Sequence, residues 1–219
     1  LMCPGIICGL NCYSMNIAVI GSMGYMSDLD NAKCVVLWGI DPCESRLLRW
    51  VTLNRRKRHN EVTIIAVDSR VTKSGQIADM VLQLRPGTDT ALALGWINVI
   101  INEGIYDHDF VTKWTHGFDE LRERASHYPP EVVARITGLT EEQIVESARL
   151  YARTKPACIE RGVATDQLGL NGTRAEQTRI ALRAITGNID VPGGNIITGP
   201  PQKMNGGRYI HDSELELAD

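Results

Sequence analysis

The stretch Val35-Val36-Leu37-Trp38-Gly39-Ile40-Asp41-Pro42-Cys43-Glu44-Ser45 decides the fold. An apolar run enters a tight Gly/Asp-Pro turn, and a helix signal follows at once. An α/β sheet presents backbone N–H groups and a helix N-terminus to an anionic ligand in this way. A second strand edge, Thr63-Ile64-Ile65-Ala66-Val67-Asp68-Ser69-Arg70, comes one βαβ unit later. A third, Val81-Leu82-Gln83-Leu84-Arg85-Pro86-Gly87-Thr88-Asp89, comes after that. Three successive strand ends carrying Asp, Arg, Ser, Thr and Gly describe a site for a large phosphorylated cofactor.

Working outward, the expected strands are 34–38, 62–67, 80–84 and 157–160, alternating with helices. That alternation predicts an α/β fold, a doubly wound and mostly parallel sheet with helices on both faces. A helix over about 43–58 is expected to turn Leu47, Leu48 and Val51 inward. Thr88 is expected to cap a long helix to about 103, ended by Asn102-Glu103-Gly104. The pattern from 105 to 153 is purely helical and reads as an insertion. Thr140-Glu141-Glu142-Gln143 and Thr173-Arg174-Ala175-Glu176 both read as capping boxes. Residues 1–27 read as an irregular metal-ligand and active-site segment with one short helix near 14–20, residues 28–200 as the α/β domain, and 201–219 as a polar tail or the start of a next segment.

The chain has 219 residues, 43% hydrophobic and 22% charged, with a net charge of −3. That is an ordinary globular composition, and its charge argues against nucleic acid as the partner. The basic run Arg55-Arg56-Lys57-Arg58-His59 ends a helix, where cations complement the dipole. No apolar run is long enough to span a bilayer. The chain starts at Leu1 without signal-peptide features, as a piece of a longer protein would, so a targeting signal is expected upstream and the compartment stays open.

Of the six cysteines, Cys34 and Cys158 sit in apolar strands and read as small core residues. Cys3, Cys8 and Cys12 are clustered, but without zinc or iron–sulfur spacing. His59, His108, His116, His127 and His211 are scattered and form no metal pair. There is no Gly-x-Ser-x-Gly elbow and no carboxylate pair suited to hydrolysis.

The G-x-G-x-x-G fingerprint of an NAD-binding domain is absent. In order, Leu37-Trp38-Gly39-x-Asp41-Pro42-x-Glu44-Ser45, Val67-Asp68-Ser69-Arg70, Ala78-Asp79 and Leu84-Arg85-Pro86-Gly87-Thr88-Asp89 resemble the dimethyl sulfoxide reductase family of molybdenum or tungsten oxidoreductases. The resemblance continues through Glu103 to Asp107, Thr137-Gly138-Leu139, Ala148 to Ala152 and Thr186-Gly187-Asn188-Ile189-Asp190-x-Pro192-Gly193-Gly194, covering about residues 9–205. Each motif alone is moderately specific, whereas the ordered set is highly specific.

The resemblance implies two pyranopterin (molybdopterin) guanine dinucleotides per Mo or W. It assigns Trp38, Gly39, Asp41, Pro42 and Ser45 to pyrophosphate or pterin, Asp68 to ribose hydroxyls and Asp89, with Gly87 beside it, to the guanine edge. Arg70 and Arg85 would meet phosphate or brace those carboxylates, with surface ion pairs as the other reading. Alone, Asp68 and Asp89 read equally as helix-cap or turn residues. Gly162, Thr165 and Gln167 would approach the pterin. Glu160-Arg161 departs from the family pattern and reads as a structural salt bridge or a substrate-pocket pair. One thiolate would ligate the metal, Cys12 in Gly9-Leu10-Asn11-Cys12-Tyr13 or, alternatively, Cys8; either reads otherwise as an inert buried thiol.

The implied function is two-electron redox or oxygen-atom transfer in the full-length protein, on a formate-, polysulfide/thiosulfate- or sulfoxide-type substrate. The isolated fragment is expected to be inactive. A [4Fe-4S] cluster, further domains of the same polypeptide and an iron–sulfur electron-transfer subunit are the expected partners. Two alternatives remain open, a non-redox hydratase or transhydroxylase of the same family and a metal-free nucleotide-binding module.

Overall fold

The computed structural model describes residues 10–22, 24–163, 165 and 171–198. Among them the elements run α1 (Leu10–Ile20), β1 (Gly24–Ser27), β2 (Cys34–Trp38), α2 (Pro42–Ser45), α3 (Leu47–Arg58), β3 (Thr63–Asp68), a 3-10 turn (Gly75–Ile77) and β4 (Met80–Gln83). There follow α4 (Asp89–Asn102), α5 (His108–Trp114), α6 (Phe118–Ser126), α7 (Pro130–Thr137), α8 (Glu141–Arg153), β5 (Ala157–Arg161), α9 (Gly172–Ile185) and β6 (Asn195–Thr198).

The main sheet has 4 strands in the order β4-β3-β2-β5, and every pairing is parallel. Strand alternation serves both faces, as the apolar runs require. Val36, Trp38, Ile65 and Leu82 face one core with Leu92, Trp96 and Ile97 of α4, whereas Val35, Leu37, Ile64 and Cys158 face a smaller core with Leu53 of α3. Cys34 and Cys158 are fully buried, and burial pushes the Cys34 thiol up to about 12 and the Cys158 thiol well above its ordinary value. From β2 the chain winds out to β3 and β4, then returns through α4–α8 to place β5 on the other side of β2. The crevice at the carboxyl ends of β2 and β5 is therefore the topological switch point.

The N-terminal part is more regular than expected: α1 has 11 residues, and β1 pairs antiparallel with β6 beside the main sheet. The helix expected over 43–58 is broken at Arg46 into α2 and α3. Its inward face is also corrected, since Leu47, Leu48 and Val51 are 65%, 84% and 57% exposed while Leu53 and Arg56 are buried. The reason is electrostatic. Arg49 donates to both Glu160 oxygens at 2.8 Å and to the Ser27 carbonyl at 3.0 Å, and Arg56 donates to the Leu29 carbonyl. These bonds set the rotation of α3; within the basic run Arg56 and Lys57 bond the Leu29 carbonyl and Asp79, while Arg55, Arg58 and His59 are exposed.

The capping box at Thr140 forms, with Thr140 Oγ1 accepting from Gln143 N at 3.2 Å. The one at Thr173 does not. Asn171 is the N-cap of α9, and Glu176 is fully buried among arginines. Thr88 occupies the N-cap of α4, but its hydroxyl donates to the Arg85 carbonyl at 2.6 Å instead of capping. The polar tail at 201–219 lies outside the described residues.

Candidate functional site

The three strand-end turns converge. Gly39, Asp41, Asp68, Arg70, Arg85, Gly87, Asp89 and Thr165 line one cleft of about 300 Å³ beyond the carboxyl ends of the sheet. Gly39 has φ 59, and a Cβ there would lie 2.2 Å from Thr165 Cγ2. The turn after β2 therefore needs glycine both for its backbone and for its packing.

Asp89 and Asp68 are the cleft's donor-seeking groups. The Trp38 indole donates to Asp89 Oδ1 at 2.8 Å, and Arg70 N donates to Asp68 Oδ1 at 3.0 Å. Among the described residues these bonds occupy Oδ1 alone in each case. One oxygen of each carboxylate is left to accept from a ligand's hydroxyls or N–H groups, which fits the ribose and base-edge donors of a nucleotide. Trp38 itself is fully buried and touches Trp96 edge-on, with ring centroids 5.4 Å apart. Its contribution is to hold Asp89 from behind.

Asp41 is committed to structure. Ser74 N and Lys73 N donate to its two carboxylate oxygens at 3.1 Å each, and the Ser74 hydroxyl adds a third bond. Burial alone would raise its pKa, but these donors, the Ser74 hydroxyl first, hold it below the ordinary value. Ser45 Oγ donates inward to the Asp41 carbonyl at 2.8 Å. Pro42 opens α2, which is only 4 residues long, so the turn presents a single helical turn and not the dipole of a long helix. Arg85 lines the cleft, but its guanidinium donates to the Arg135 and Ile136 carbonyls at 2.7 and 3.2 Å, near the C-terminal end of α7. Its partners are therefore carbonyls, not the carboxylates. Gly162 N donates to the Trp38 carbonyl at 2.9 Å, and a Cβ on Gly162 would sit 1.9 Å from Gly39 O. That glycine lets the turns after β2 and β5 touch.

Cys12 stands apart from the cleft, in α1. It is 1% exposed, accepts from Asn16 Nδ2 at 3.2 Å and touches the guanidinium of Arg161 at the end of β5. Cys8 and Gln167 lie outside the described residues. Among the described residues no three His, Cys, Asp or Glu side chains cluster to hold a metal, and no helix is long and apolar enough to cross a membrane.

Two buried networks beside β5 were not read in detail from sequence. Glu160, 3% exposed, pairs with Arg46 and Arg49, so the Glu160 half of the departing pair is a structural salt bridge. Glu176 pairs with Arg179 at 2.8 Å, Arg183 at 3.2 Å and Arg161 at 3.3 Å. Burial alone would raise both carboxyls. Arg49 ahead of Arg46, and Arg179 ahead of Arg183 and Arg161, hold them below the ordinary glutamate value. A polar cavity of about 80 Å³ lies between them, lined by Asn16, Tyr25, Arg46, Glu160 and Arg183. The buried Tyr25 hydroxyl has no hydrogen-bond partner among the described residues, and burial raises its pKa.

Three comparisons place this architecture. Acetylene hydratase of Syntrophotalea acetylenica is 45% identical over 137 residues, covering 63% of this chain and 18% of that protein. Formate dehydrogenase H of Escherichia coli is 34% identical over 167 residues, covering 76% of this chain and 23% of that protein. The structure of acetylene hydratase from Pelobacter acetylenicus superposes with a TM-score of 0.82 at 34% identity, over 90% of this chain and 26% of that one. This chain thus spans about a quarter or less of the length of these relatives. A family model for molybdopterin oxidoreductases matches residues 9–193, and the chain belongs to that family.

Proposed function

We propose that this chain forms one wall of a Mo or W centre in a longer polypeptide that catalyses two-electron redox or oxygen-atom transfer. Family membership implies a molybdopterin cofactor carrying Mo or W. The finer reading is that the cofactor is a pair of guanine dinucleotides, one of which lies in the cleft. The observation that carries it is the meeting of Asp68, Asp89, Arg70 and the Gly39 turn in one cleft. Asp68 would accept from ribose, Asp89 from the guanine edge, and Arg70 would face phosphate. When bound, the metal centre supplies the redox chemistry. This chain's residues orient the cofactor. Trp38 fixes the Asp89 carboxylate, Asp41 pins the Ser74 turn, and Gly39 and Gly162 admit close backbone packing. Cys12 is the proposed metal ligand, with Cys8 as the alternative. A formate-, polysulfide/thiosulfate- or sulfoxide-type substrate, a [4Fe-4S] segment and an iron–sulfur partner complete the reading.

The similarity to acetylene hydratase favours a second reading, a non-redox hydration at the same kind of centre. The test uses the longer polypeptide: metal by mass spectrometry, released guanine nucleotide and electron transfer to dyes. The main reading expects about one metal and about two dinucleotides per chain, with dye reduction. Metal and dinucleotide without dye reduction favour the hydratase. Guanine nucleotide without metal overturns both. In the same polypeptide, Asp89→Asn should lower retention of guanine dinucleotide, and Cys12→Ser should lower retention of metal.

A further inference from the structure

The polar cavity of about 80 Å³ beside β5 shares no lining residue with the nucleotide cleft among the described residues. Those that line it include three guanidiniums, Arg46, Arg161 and Arg183, and one carboxylate, Glu160. Glu160 lends the cavity little negative charge. Its Oε1 accepts from Arg46 and from Arg49 Nε, and its Oε2 accepts from Arg49 Nη2. Arg183 is 1% exposed and shares its carboxylate partner, Glu176, with other arginines. Its Nη2 reaches the Ile159 carbonyl only at 3.5 Å, the outer limit of a hydrogen bond. The same guanidinium lies over the Tyr25 ring, 4.8 Å from its centroid. The Tyr25 hydroxyl is buried and has no hydrogen-bond partner among the described residues. Burial raises its pKa against the opposing pull of Arg183, so the hydroxyl keeps its proton and stands as a donor. A buried donor without an acceptor is costly, and buried cations call for opposite charge.

We propose that this cavity binds a small monovalent anion, of halide or nitrate size, held by the Tyr25 hydroxyl and the guanidiniums of Arg183 and Arg46. The space suffices, since a single water needs only about 10–15 Å³ on the same measure. Water would satisfy the Tyr25 hydroxyl but would bring no charge to the arginines. An anion does both. Arg46, 43% exposed, stands on the solvent side of the site, whereas Arg183 closes its inner end. The guest would bridge β1 through Tyr25, α9 through Arg183 and the junction of α2 and α3 through Arg46. Its occupancy therefore stabilises the packing of these elements around β5. The site does not depend on what fills the cleft.

The experiment uses the longer polypeptide and bromide as the probe. Crystals soaked in sodium bromide should show an anomalous peak between Tyr25 and Arg183. In solution the thermal midpoint should rise saturably with sodium bromide, compared with sodium gluconate at equal ionic strength, because gluconate is too large for the cavity. Tyr25→Phe keeps the ring under Arg183 and loses only the hydroxyl. It should weaken bromide binding about tenfold, while its midpoint in gluconate stays within about 2 °C of the parent. A cavity that holds only water at saturating bromide overturns the proposal. So does a bromide response that Tyr25→Phe leaves unchanged, which would place the anion elsewhere on the protein.

Discussion

Around β2, β3 and β4, Val36, Ile65 and Leu82 meet the leucines and isoleucines of α4 in a core of apolar side chains, with the Trp38–Asp89 bond at its cleft end. Around β5, two buried carboxylates are gripped by five arginines contributed by β5, α9, α3 and the residue before α3. The first region gains stability from area removed from water and loses it gradually when atoms are deleted. The second has already incurred the cost of desolvating charge. It is held only while each charge keeps its counter-ion. A deletion there leaves an uncompensated ion, so the two regions should fail differently.

The sharpest way to break that comparison is Glu176→Gln. Arg179 and Arg183 are 0% and 1% exposed and cannot turn to water. Denaturant unfolding should show a loss of about 4 kcal/mol, and a loss no larger than a surface change would show that the network does not hold the β5 edge. Next comes Leu92→Ala in the apolar half, where the same measurement should show about 3 kcal/mol for a fully buried leucine. Glu160→Gln should cost less, about 2 kcal/mol, because Arg46 and Arg49 are 43% and 27% exposed and can regain solvent. A larger effect than at Glu176 would reverse the ranking of the two seams. A comparable loss, about 2 kcal/mol, is expected for Trp38→Phe, which deletes one neutral-to-charged hydrogen bond to Asp89 and keeps the six-membered part of the ring.

Acid should also separate the two regions. Glu160 and Glu176 have folded pKa values below the ordinary 4.5. Their contribution is complete above that value and is lost as pH falls through their folded values. Stability followed by denaturant titration should therefore drop below about pH 4 in the parent. The drop should be smaller in Glu176→Gln, which has no carboxyl there to protonate. An identical acid slope in parent and variant would assign the loss to other groups.

The contrast also explains what could be read in the sequence. The four strands of the main sheet, the order of helices and the turns that form the cleft were legible because β-branched runs and Gly/Asp turns are local signals, whereas the short β1 and β6 carried no such mark. Leu47, Leu48 and Val51 misled because apolar spacing alone cannot tell which face of a helix meets its own sheet. Arg49 reaching Glu160, 111 positions away, decided that rotation, and no short window contains both residues. The Thr173 capping box failed for a related reason: Glu176 is worth more as the counter-ion of Arg179 and Arg183 than as a cap. Of the cleft, the acidic residues were legible by type. The bond from Trp38 to Asp89 was not, since an indole in an apolar strand carries no mark of what its N–H will meet.

That indole has one more consequence. Trp38 lies in a dry aromatic column, with Trp96 edge-on and Tyr151 stacked on Trp96 at 5.5 Å, while its only polar atom is bonded to a carboxylate that lines the cleft. A guest bonded to the other oxygen of Asp89 shifts the charge beside that indole, and the emission colour of a sheltered tryptophan follows the electric field at its ring. The molecule thus carries a native optical probe behind its cleft, able to register arrival of a guest without any attached dye.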